Sequence, residues 1–160
     1  MREALHFRTV LAALCLILAV AACGGPPPGA KEAVQRLAAL DIVTSPPPQG
    51  ARVAYAEDLG SDSSVTARDP SVIAVYATTA TIDDLRDYYV SAFPAYGIAE
   101  KSGGDANRTS LEGRDSETYI VINISRDAPH YTGYSTPSPS PAPEGADVYV
   151  VVDGFPLRTS

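Results

Sequence analysis

Hydrophobic and polar positions follow different periods in different parts of this chain, and the period assigns the element. In residues 118–125, TYIVINIS, Ile120, Ile122 and Ile124 alternate with Tyr119, Val121 and Asn123, the two-residue repeat of a strand. Residues 147–153, DVYVVVD, repeat it with Val148, Val150 and Val152 on one side. Tyr149 and Val151 make the other side apolar too, as in an interior strand. Residues 72–77, VIAVYA, are apolar without interruption and rich in β-branched side chains, which predicts a central strand. Shorter strands are expected at 52–55, 98–101 and 109–113, the last forming a hairpin with 118–125 across Arg114, Asp115 and Ser116.

After Thr81 the spacing changes to three and four residues, with Ile82, Leu85, Tyr89 and Ala92 or Phe93 on one face of a helix. Thr81 is its N-cap, and Asp83 and Asp84 sit where the positive end of the helix dipole favours them. That placement, with Asp87 on the solvent side, accounts for the three carboxylates without a ligand. Pro94 limits the helix and Gly97 ends the turn that follows. Residues 30–40, AKEAVQRLAAL, carry Val34, Leu37 and Ala38 at helical spacing, but so short a helix is not stable alone. It either docks by this narrow stripe or frays, and the prolines at 46–48 stop it. The pattern predicts an α+β fold in which one main helix covers one face of an antiparallel sheet.

Two segments break the pattern. Residues 57–70 are polar and acidic, but Asp58, Asp62 and Asp69 lack the spacing and glycine of a calcium loop, so this is a solvated loop. Residues 127–145 alternate Ser and Pro, cannot donate ladder hydrogen bonds at each proline, and are expected to form a disordered excursion.

The longest apolar run lies at the start. Residues 10–23, VLAALCLILAVAAC, would span about 21 Å as a helix, against a hydrocarbon core of roughly 30 Å, and Arg2 and Arg8 precede them. A secretory signal fits this run better than a membrane span. It ends in Val20-Ala21-Ala22-Cys23, small residues before a cysteine, which resembles the lipobox of bacterial lipoproteins. The resemblance covers the first 23 residues only. It implies cleavage before Cys23 and a diacylglyceryl thioether on its sulfur, on the extracytoplasmic face of a bacterial membrane. At about 0.8 kcal/mol per buried CH₂, two acyl chains anchor stably where one is marginal. The expected organisation is a signal peptide at 1–22, a Pro/Gly-rich tether with the short helix at 23–50, the α+β domain at 51–155, and a tail at 156–160.

Charge and chemistry then narrow the function. Loss of Arg2, Arg8 and Glu3 takes 12 basic and 19 acidic groups to 10 and 18, a net charge of −8, which argues against nucleic-acid partners. Such a domain would stand off from an anionic bilayer. Cys15 and His6 leave with the signal and Cys23 is consumed by lipid, so the mature chain has no free thiol. It keeps only His130, which excludes thiol nucleophiles, Cys-based zinc sites and multi-His metal centres. No cofactor is expected. Nine tyrosines and no tryptophan direct attention to surface contacts, and Tyr131 and Tyr134 are the candidate ligand-binding residues. The expected function is a non-catalytic binding or accessory module of the cell envelope, engaging an envelope protein, a glycan or a small apolar ligand. The alternative is a small hydrolase using His130 with a carboxylate or serine, without a Gly-x-Ser-x-Gly elbow to support it.

Overall fold

The computed structural model describes residues 25–63, 66–101, 104–129 and 141–157. Its strands are β1 (Gly50–Asp58), β2 (Ser71–Thr78), β3 (Ala99–Glu100), β4 (Arg108–Arg114), β5 (Thr118–Ser125) and β6 (Val148–Pro156). They form one sheet in the order β1-β2-β6-β5-β4-β3, antiparallel throughout. After the β1–β2 hairpin, a helix carries the chain across one face to the far edge. β3, β4 and β5 then return strand by strand, and β6 closes the gap beside β2. The α+β class follows from this arrangement, and so does the interior position of the two most apolar strands.

Helix coverage is broader than one main helix. α1 (Ala30–Ala38) buries Ala30, Ala33, Val34 and Leu37, and the single turn α2 (Asp41–Thr44) adds Ile42 and Val43. Together they pack over β2 and β6, while α3 (Ile82–Ala92) lies over β4 and β5. The segment assigned to the tether therefore belongs to the folded body from Ala30 onward. The physical reason is area: a four-residue apolar stripe is too little to hold a free helix, yet Val34 and Leu37 gain about 2 kcal/mol each once a sheet face receives them, and the two alanines less. Tyr76 of β2 locks the arrangement by donating its hydroxyl to the Val43 carbonyl at 2.5 Å.

α3 matches its predicted span, with the Thr81 side chain accepting the Asp84 N–H at 3.2 Å and Gly97 in the left-handed region. Its C-terminal half brings Tyr88, Tyr89 and Phe93 together, with Tyr89 and Phe93 stacked at 5.9 Å. The turn after it is pressed onto β4. A Cβ on Gly113 would lie 2.7 Å from the Ile98 side chain, so only glycine permits this approach.

Two strands exceed their predicted ends by more than one residue. β1 continues through Asp58 into the polar segment, because Ala56, Glu57 and Asp58 find ladder partners in Ile73, Val72 and Ser71. β6 runs past Asp153 to Pro156, since Gly154, Phe155 and Pro156 pair with Ile120, Tyr119 and Thr118 at the start of β5. The proposed tail thus begins inside the sheet, and proline is tolerated because it ends the strand.

Candidate functional site

One end of the sheet gathers polar side chains from three separated segments. There β2 stops at Thr78, and the chain turns as Thr78 donates its hydroxyl to the Pro48 carbonyl and accepts from the Ala80 N–H. That turn sets the first residues of α3, Thr81 to Arg86, beside the β3–β4 connection and the end of β5. The result is an open cleft of about 410 Å³ lined by Thr81, Asp83, Arg86, Glu100, Asp105 and Arg126 among others.

Most charges in the cleft are committed to neighbours. Arg86 pairs with Asp83 at 3.0 Å and Asp87 at 3.5 Å, Arg108 pairs with Asp105 at 3.4 Å, and Arg126 pairs with Asp147. Glu100 accepts the Thr109 hydroxyl at 2.9 Å, while Asp105 accepts the N–H groups of Asn107 and Arg108 and so shapes its own turn. Such a surface can exchange hydrogen bonds and ion pairs with a polar partner. Among the described residues it does not set an activated nucleophile beside a base. Asp83 and Asp87 lie exposed on α3 as expected, and Asp84 is tied to Thr81 at 2.7 Å.

The sheet face away from the helices holds a second chemical feature. Asp153 stands mid-strand, opposite Ile73 on one side and Val121 on the other, and burial pushes its carboxyl up to about 6. On the same face Val53, Ala54, Ile73, Val75 and Ala77 form a small apolar cluster with Tyr149 and Val151 at its margin. Toward β4 and the β3 edge the face turns polar. Glu112 bonds Lys101 and Tyr119, which holds its carboxyl below the usual range and raises the lysine.

A shallower opening of about 370 Å³ lies between the helix ends, lined by Leu40, Asp41, Phe93 and Tyr96 among others, but the sheet face beneath the helices is packed. Leu111, Ile120, Ile122, Ile124, Val148, Val150 and Val152 are fully buried there, so that interface is filled.

Cys23, His130, Tyr131 and Tyr134 lie outside the described residues, as does the Ser-Pro run at 135–140. Asp58 is brought to Arg68 at 3.2 Å and accepts the Gly60 N–H, which is how a loop carboxylate shapes its own turn. Among the described residues no group of three or more His, Cys, Asp and Glu is placed to hold a metal ion, and no helix is long and apolar enough to cross a membrane. Sequence reasoning missed the polar cleft because its residues come from positions 81 to 126 and share no local motif. Asp153 carried one available signal: an acidic residue ending an otherwise apolar alternation.

No family model, curated protein or solved structure matches the chain.

Proposed function

We propose that this protein is a lipoprotein anchored through Cys23 on the extracytoplasmic face of a bacterial membrane, with its α+β domain acting as a non-catalytic recognition module of the envelope. The observation that carries the reading is the Val20-Ala21-Ala22-Cys23 sequence at the end of an apolar run too short to span a bilayer. Tethering raises local concentration, so a modest surface suffices for recognition.

The filled interface between helices and sheet favours a protein or glycan partner over a small apolar ligand, which needs a dry concave pocket. The polar cleft, with its exchangeable ion pairs, is the surface such a partner would meet. Cys23→Ala tests the anchor directly. In the native host the variant precursor should keep residues 1–22, take up no labelled fatty acid and leave the acylated membrane pool. Normal acyl labelling of that variant would refute the assignment.

A further inference from the structure

The anchor's leash is nearly used up before the fold begins. Only Gly24 separates Cys23 from Gly25, whose carbonyl accepts the Asp62 N–H at 3.0 Å. The chain then turns as the Ala30 N–H bonds the Pro27 carbonyl, and α1 starts with Ala30 buried. Two residues of extended chain reach about 7 Å, far less than the domain's own dimensions.

The point of attachment is at one particular end. Asp62 belongs to the β1–β2 connection, which joins the end of β1 to the start of β2. Antiparallel register places the β4–β5 turn at Asp115 and the end of β6 on the same side, since Asp58 opposes Ser71, Val72 opposes Gly154, and Gly154 opposes Ile120. The polar cleft lies at the other end, where β2 finishes and α3 begins. The eight residues of β2 separate the two ends by about 26 Å.

We infer that the domain stands on end against the bilayer that holds its lipid, with Asp62 and the β4–β5 turn at the headgroups and the Thr81–Asp105–Arg126 cleft facing away. This rests on the lipid-anchor reading. The occupant of the near end is the lipid surface, identified by the Gly25 carbonyl's bond to Asp62 and by how little chain lies between Gly25 and Cys23. That end carries Asp58, Asp62, Asp69, Asp115 and Glu117 against Arg36, Arg68 and Arg114, so anionic headgroups repel it. The leash, rather than charge, sets the distance. Repulsion limited by so short a tether aligns the body instead of letting it drift.

The test uses the full chain, processed in its host, purified and placed in phosphatidylcholine vesicles with a minor share of phosphatidylglycerol and a headgroup-linked acceptor dye. Cys23 is alkylated, so a new cysteine is the only reactive thiol in the mature protein. Donor dye at Ser116→Cys should transfer energy several-fold more efficiently than donor at Ala106→Cys. A Gly-Ser linker of about ten residues inserted between Gly24 and Gly25 should bring the two efficiencies together. Equal or reversed transfer without the linker would overturn the orientation, as would a difference that survives it. Mass spectrometry of the same sample separates the two proposals. Acyl mass on Cys23 with equal transfer sinks the orientation alone, whereas no acyl mass removes the anchor and the orientation with it.

Discussion

The two faces of the sheet solve the same burial problem to different depths. Under α1, α2 and α3, the face bearing Leu111, Ile120, Ile122, Ile124, Val148, Val150 and Val152 excludes water completely. The opposite face has a smaller apolar cluster on β1 and β2, and Tyr149 and Val151 at its margin are only partly buried. Among the described residues, each face also contains a polar group at odds with its surroundings. On the helical face it is the Tyr89 hydroxyl, which is buried without a hydrogen-bond partner among the described residues. On the other it is the Asp153 carboxyl, held against Ile73 and Val121. A neutral hydroxyl is tolerable at the centre of a packed interior, whereas a carboxyl needs the shallower side, where protonation and partial solvent contact lower its cost.

Adjacent residues of β5 offer the sharpest way to break this comparison. Ile122→Ala should lose about 3.5 kcal/mol, because the fully buried side chain leaves a cavity that the helices cannot collapse into. Val121→Ala, one step along on the other face and half-buried, should lose about 1 kcal/mol. Urea unfolding of both variants measures the difference. Equal losses would mean that the second face is packed as tightly as the first.

Asp153 gives the next largest effect, and its sign is opposite. The folded carboxyl titrates near 6 against an unfolded 3.8, so the folded state holds its proton more tightly. Stability from this group is therefore greatest below about pH 4, falls between about 4 and 6, and stays reduced above that, by about 3 kcal/mol in all. Asp153→Asn should accordingly stabilise the protein at pH 7.5 by an amount approaching that figure and change little at pH 3.5. Unfolding curves at the two pH values check it, and a variant less stable than wild type at pH 7.5 would show that the ionised carboxylate has a favourable partner.

Tyr89→Phe is the smallest perturbation. Removing a hydroxyl that is buried without a partner relieves a desolvation cost and should change stability by no more than about 1 kcal/mol, in the stabilising direction. Thermal unfolding suffices to measure it. A loss of 2 kcal/mol or more would reveal a hydrogen bond to that oxygen.

Much of the deep face was legible along the chain. The alternation of Ile120, Ile122 and Ile124 against Tyr119, Val121 and Asn123 divides β5 correctly between its buried and less buried sides. The three-four spacing of Ile82, Leu85 and Tyr89 gives the inner face of α3. Both are period effects, repeated often enough to rise above any one residue's preference. The polar cleft had no such repetition, because Thr81, Glu100, Asp105 and Arg126 meet only after α3 has crossed the sheet. Asp153 read as a strand terminus until β5 supplied partners beyond it.

Local order therefore settled which segments become strands and helix, where α3 is capped, and that an apolar run closes on Cys23, since each depends on residues within one or two turns of each other. Tertiary structure alone decided that residues 30–43 join the core rather than the tether, that the sheet order interleaves β6 between β2 and β5, and which end of the sheet lies beside Gly25. Those outcomes depend on surfaces hundreds of square ångströms in extent being offered by distant strands. A short stripe such as Val34 and Leu37 holds no preference until such a surface exists to bury it.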